Sequence, residues 1–192
     1  GVLVLGATNV PWELDPAMRR RFEKRVYIAL PEPSARTVMF KLHLGDTPNN
    51  LTPQEFDALG QQTEGYSGSD IAVVVREALM EPLRKCQSAK QFMVDSEGDY
   101  YPCTDYPNCL NCPMALHTPI PSALCAPPSA RTVCGHCFAE RMSLYDVPGE
   151  KLKVPLIEYN DFVKALTRAH SSVGTDELQQ FVDWTEEFGQ EG

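Results

Sequence analysis

Arg19, Arg20 and Arg21 stand in unbroken succession, followed by Lys24 and Arg25, in a chain whose formal net charge is −9. Positive charges this close repel unless an anion or screening water intervenes. Guanidinium is a planar, permanently charged fork that matches a phosphate, so the run predicts a phosphate partner presented by a neighbouring subunit. The competing expectation is a set of cations at the end of a short helix, where the dipole favours each by about 0.3–1 kcal/mol. That accounts for one arginine more easily than for three. Asn9 sits just past an apolar run, where an amide can hold a water or a phosphate oxygen at the end of a sheet; an ordinary turn residue before Val10-Pro11 is the plainer expectation.

A second cluster suggests metal. Cys109-Leu-Asn-Cys112 and Cys134-Gly-His-Cys137 are two C-x2-C pairs separated by 21 residues, just beyond the usual four-cysteine zinc spacing, and would suit a tetrahedral structural site. Cys103, Cys125, His117 and His136 are spare donors. A loop with free thiols is the alternative, and a reducing compartment disfavours disulfides.

These residues need elements to position them. Val2–Leu5 is a short apolar run ending at Gly6, and Arg25–Leu30 a second run closed by Pro31 and Pro33; both are expected to be strands of a parallel sheet. Between them Asp15-Pro16 predicts a short helix, with Asp as N-cap and Pro at its first position. Ser34 is expected to cap the next helix, with Ala35, Val38, Met39 and Leu42 on one face and Gly45 just past its end. Thr52-Pro53-Gln54-Glu55 is a capping box opening a helix that buries Phe56 and Leu59. Ser67 or Ser69 caps a third, in which Ile71, Val74, Val75, Ala78, Leu79 and Leu83 recur at helical spacing and Pro82 should kink or end it. Seven prolines between residues 102 and 128 and six of the seven cysteines between 103 and 137 mark a loop-rich insertion. Helical periodicity returns at Phe162, Ala165, Leu166 and Ala169, and after Thr175 at Leu178, Phe181, Val182 and Phe188.

Composition narrows the function. Hydrophobic residues make up 43% of 192 residues, enough to bury a core. No run reaches the 18 or so apolar residues of a membrane span, and the opening residues do not resemble a signal peptide, so the chain is read as intracellular; without an initiator Met, further sequence is expected upstream. Residues 1–45 carry seven Lys or Arg against four Asp or Glu, whereas residues 171–192 carry six acids and no Lys or Arg. Basic residues are too sparse elsewhere for a nucleic-acid footprint, so the expected anion is local and small.

Taken together, GVLVLGATN, RRRFEKR, GYSGSDI and the terminal FGQEG resemble the meiotic clade of AAA ATPases, which also holds katanin and spastin; FGQEG favours its vacuolar-sorting branch. The resemblance is dense over residues 1–93 and returns over 154–192. It implies an α/β fold: the truncated C-terminal part of a parallel-sheet AAA large domain (1–32), a small helical lid domain (33–94), a β domain with the Cys/Pro-rich insertion (95–157), and C-terminal helices (158–192) that complete the small domain and pack back on the large one. Strands are expected near 100 and over 152–157. By the same resemblance Asn9 is the sensor that orients the attacking water, and Arg20 and Arg21 are arginine fingers reaching the γ-phosphate bound to the adjacent subunit, Arg19 having no assigned role. Gly68 and Ser69 then lie where the lid closes over nucleotide, and Met39 on the helix that contacts adenine, a core methionine being the plainer alternative.

The implied cofactors are ATP and Mg. The implied partners are further copies in a ring, a hexamer in the family, together with ESCRT-III subunits and an activating cofactor at the β domain. The implied setting is cytoplasmic, peripheral to and recruited to endosomal membranes, with no nucleic acid. No G-x-x-x-x-G-K-[ST] occurs in the chain, so these residues alone are expected to lack ATPase activity. The other readings are a partner-binding module without catalytic duty and a microtubule-severing AAA relative.

Overall fold

The computed structural model describes residues 1–95, 97–103 and 139–189. Its first helix, α1 (Pro16–Arg21), is capped as expected: Asp15 Oδ1 accepts from the backbone N–H of Ala17 at 2.7 Å and of Met18 at 3.3 Å, and Pro16 occupies the first turn. A helical layer follows, formed by α2 (Pro33–Leu44), α3 (Pro53–Gln62) and α4 (Gly68–Ser88). After the sheet, α5 (Tyr159–Leu166) returns to this layer, and α6 (Thr175–Phe188) closes the described chain. Thr52 and Ser67 each complete a capping box, with Glu55 and Asp70 respectively. Both settle a helix start by satisfying two otherwise orphaned donors.

The core is Phe40 and Leu44 of α2, Phe56 and Leu59 of α3, Ile71, Val74, Val75 and Ala78 of α4, Ile157, and Phe162 and Ala165 of α5. Phe40 and Phe162 meet edge-on, with ring centroids 6.0 Å apart and planes at 80°, a favoured aromatic geometry. Helices α2 and α3 can approach closely because Gly60 has no side chain: a Cβ there would fall on Thr37 Oγ1 and 2.7 Å from the Pro33 carbonyl oxygen.

A three-stranded antiparallel sheet, ordered β2-β1-β3, joins the two helical segments. It comprises β1 (Gln91–Val94), β2 (Tyr100–Cys103) and β3 (Glu140–Arg141). Phe92 pairs with Pro102 on one side and Glu140 on the other. β2 lies where a strand was expected, and β1 forms ahead of residue 95. Over 152–157 there is no strand; Leu152 bridges Tyr100 and Ile157 bridges Asn49, each as a single parallel pair. Pro155 has no N–H to give a ladder.

Three other expectations are corrected. Neither Val2–Leu5 nor Arg25–Leu30 is a strand: Val2, Leu3 and Leu5 are each 92% exposed. A parallel strand needs a paired neighbour and cover on both faces, and no described residue supplies them. Helix α2 is rotated from the expected face: Val38 and Leu42 are 53% and 73% exposed, while Arg36, Thr37, Phe40 and Leu44 are buried. Its cap position is Glu32, with Pro33 rather than Ser34 opening the helix. The rotation follows from Arg36, whose Nε donates to the Gly60 carbonyl at 2.9 Å and Nη1 to that of Pro31 at 2.7 Å. A charged side chain thus lies on the core face and disguises the apolar stripe. Finally, α4 does not end at Pro82 but continues through it to Ser88, and the proline is buried. The missing hydrogen bond, about 3 kcal/mol in an isolated helix, is offset by the anchoring of the next turn, where Cys86 is buried and Lys85 pairs with Asp161 of α5 at 2.8 Å.

Candidate functional site

The arginine run occupies the last turn of α1, and its three members differ. Arg19 is half-buried, with its Cζ 5.1 Å from the centroid of the Phe188 ring at the end of α6. Arg20 and Arg21 are exposed, and among the described residues neither side chain has a hydrogen bond or an ion pair. Arg19 therefore takes a structural contact, a cation over an aromatic face, and two adjacent guanidinium groups remain uncommitted. Asn9 is exposed, one residue before Val10, whose N–H donates to Thr8 Oγ1 at 3.1 Å.

What holds α1 is α6. Phe181 lies between Trp12, at a centroid distance of 5.0 Å, and Tyr27, nearly parallel at 5.9 Å. Arg25 donates from Nη1 to the Phe188 carbonyl at 2.7 Å and from Nη2 to the Arg19 carbonyl at 3.2 Å. Helix α6 thus contacts the first segment through aromatic rings and one guanidinium. Sequence reading placed Phe181 and Phe188 on one face of a helix but missed Trp12, Tyr27 and Arg25 as their counterparts. The only available signal was an aromatic face on an acidic helix in a chain with a basic first segment.

A second corner forms where α2 meets the start of α4. Met39 lies against Gly68, such that a Cβ on Gly68 would sit 3.7 Å from its Sδ and 3.8 Å from its Cε. Met39 also packs on the core from a half-buried position, as the plainer expectation for it had it. The loop before Gly68 is tied down: Gly65 turns with φ +78°, Tyr66 Oη donates to the Ala169 carbonyl at 3.0 Å, and Ser171 Oγ donates to the Gly65 carbonyl at 2.8 Å. The capping box uses the N–H groups of Ser67 and Asp70, leaving those of Gly68 and Ser69 at the helix end. Burial alone would raise the Asp70 carboxyl, but hydrogen bonds from Ser67 and Ser172 outweigh it and hold it below the usual carboxylate range. A carboxylate fixed in the first turn repels a phosphate, so this corner suits an uncharged, polarisable surface such as a nucleobase better than the anionic part of a nucleotide.

The zinc candidates Cys109, Cys112, Cys134 and Cys137 lie outside the described residues. Among the described residues no group of three or more His, Cys, Asp or Glu side chains gathers to hold a metal. Cys86 is buried in the core, which pushes its thiol up and makes it a packing residue rather than a nucleophile. Among the described residues no helix is long and apolar enough to cross a membrane.

Comparison with known proteins agrees with this arrangement. Residues 54–97 match the AAA+ lid domain family, and residues 134–189 match the Vps4 C terminal oligomerisation domain family. Over 97% of its length the chain superposes on the crystal structure of the FIGL-1 AAA domain in complex with ADP, with a TM-score of 0.62 and 26% identity, covering 45% of that chain. These matches define a C-terminal portion of an AAA ATPase. The whole chain is 47% identical to vacuolar protein sorting-associated protein 4B of Pongo abelii, 44% to protein 4A of Homo sapiens and 43% to protein 4 of Dictyostelium discoideum. It spans 39%, 40% and 39% of those relatives' lengths, respectively. The chain belongs to the Vps4-type AAA ATPases, as a C-terminal part of that protein type.

Proposed function

We propose that the intact protein hydrolyses ATP in a ring of identical subunits, and that this part supplies Arg20 and Arg21 to the nucleotide bound by the next subunit. The observation that carries this reading is the division of labour within the run: Arg19 is seated on Phe188, while its two neighbours extend into solvent without a partner among the described residues. Two exposed guanidinium groups on a helix end held by α6 suit an anion brought by another molecule. ATP with Mg supplies the transferable γ-phosphoryl group, on whose oxygens negative charge develops. Arg20 and Arg21 stabilise that charge, and arginines supplied in trans are worth about 10³–10⁵ in rate. Asn9 orients the attacking water, as a sensor. Met39 and Gly68 receive the base from the subunit's own side, with Ser69 at the same helix end. The match to an oligomerisation domain over residues 134–189 supports ring assembly.

Relatives named for vacuolar protein sorting favour a sorting task for this protein; the proposed task is disassembly of ESCRT-III filaments on endosomal membranes by a ring recruited from the cytoplasm, with the β domain receiving an activating cofactor. The deciding experiment uses the full-length protein. Arg20→Ala and Arg21→Ala should each cut ATP turnover of the assembled ring by about 10³-fold or more, while nucleotide binding, followed with a fluorescent ATP analogue, persists. Turnover at the parent level in both variants would make this part a binding module.

A further inference from the structure

We propose that Arg25 is a positioning residue: by bridging the ends of α1 and α6 it sets the direction in which Arg20 and Arg21 leave the subunit. The inference rests on the trans-acting role of those two arginines.

Helix α1 has only six residues, Pro16–Arg21, and buries none of them. It therefore cannot hold its own orientation through a core contact. Its last turn nevertheless carries two like charges that have to project together. Arg25 resolves this from just beyond the helix. The last carbonyls of a helix have no intrahelical donor, and Arg25 satisfies one on each of two helices: Nη2 reaches Arg19 O of α1 at 3.2 Å, and Nη1 reaches Phe188 O of α6 at 2.7 Å. A cation is favoured at both sites by the helix dipoles. Two parallel donors in a rigid fork are what this bridge needs, and lysine has a single ammonium at the end of a flexible stem.

The carbonyl gripped is that of Arg19, the residue immediately before the two fingers, so the bridge fixes the peptide plane from which Arg20 begins. The Arg19 guanidinium over the Phe188 ring closes a second link between the same two helix ends. Nε of Arg19 and Nε of Arg25 are buried without an acceptor, so both side chains are committed to this junction rather than to water. The end of α6 is itself constrained: Gly189 N–H donates to the Thr185 carbonyl at 2.7 Å, and a Cβ on Gly189 would collide with that carbonyl.

The test uses full-length protein, measuring kcat and KM for ATP together with ring mass by analytical ultracentrifugation. Arg25→Ala and Arg25→Lys should each lower kcat by about 10- to 100-fold, the loss expected from a displacement of order 1 Å, with KM and ring mass unchanged. Phe188→Ala should lower kcat in the same direction, and Phe188→Tyr, which keeps the aromatic face, should restore it. In a background lacking both fingers, Arg20→Ala with Arg21→Ala, Arg25→Ala should cause little further loss. Parent-level kcat in Arg25→Ala, or a loss that tracks a fall in ring mass, would overturn the proposal. If Arg20→Ala is inactive while Arg25→Ala is fully active, only the positioning role fails; if Arg20→Ala and Arg21→Ala are both active, the trans-acting reading fails with it.

Discussion

Glu81 faces the core from α4, yet its carboxylate is paired on both sides, with Arg84 Nη1 at 2.5 Å and with Arg168 Nη1 beyond α5 at 3.0 Å. Burial alone would raise its carboxyl, but the two guanidinium groups outweigh that and hold it below the usual range. A carboxylate depressed in the folded state contributes stability that is fully present above about pH 4.3, its unfolded value, and is lost as pH falls through the folded value. Glu81→Gln should therefore lower the unfolding free energy by about 1–2 kcal/mol at pH 7, less than a fully buried pair would lose because Arg168 is 56% exposed. The deficit should shrink toward pH 3, and paired thermal melts at the two pH values read both quantities. Gly60 gives a second prediction at this scale. Because a Cβ there meets backbone as well as Thr37, Gly60→Ala should cost about 1–3 kcal/mol through overpacking, although alanine favours a helix interior elsewhere. Denaturant unfolding checks the sign.

Among the elements, α5 is short but holds two distant parts of the chain together. Phe162 is fully buried among α2 and α4 residues and meets Phe40 edge-on. Asp161, also fully buried, draws Lys85 of α4 to 2.8 Å. The helix is contributed by residues that follow the whole β domain, so the lid layer closes only after the chain has returned. Phe162→Ala should cost about 3–5 kcal/mol and loosen α2 and α4 together. Hydrogen exchange on those two helices should show common loss of protection, whereas separate responses would mean that α5 is not their shared support. Sequence periodicity anticipated α3, α4, α5 and α6, each with a regular apolar face and a capping signal or clear start. It misplaced the buried face of α2, since a buried arginine satisfied by two backbone carbonyls resembles a surface residue when only its type is known.

At the scale of the molecule, charge and contacts separate the two ends of the chain from the lid layer. The acidic C-terminal stretch, six acids without Lys or Arg over residues 171–192, returns through α6 to the basic first segment. If the arginines act across a subunit boundary, turnover requires neighbours. The specific ATPase activity of the full-length protein should then rise with protein concentration over the range in which ring mass increases, and these 192 residues alone should show none. Coupled-enzyme assays alongside sedimentation velocity check this, and constant specific activity across assembly would contradict it.

Sequence alone determined the starts of α1 and α3, because Asp-Pro signals and capping boxes act over three or four residues, and it located the arginine run and the insertion. It also led to the expectation of a small, local anion, because the positive charge is confined to the first segment. Only the tertiary structure decided which arginine is occupied: Arg19, Arg20 and Arg21 are chemically identical, and the difference comes from Phe188, far along the chain. The same holds for the expected strands at 2–5 and 25–30. Apolar runs state a preference for being covered, but a strand exists only when another strand supplies hydrogen bonds and a layer excludes water, and those partners are set by tertiary contacts rather than by the run itself.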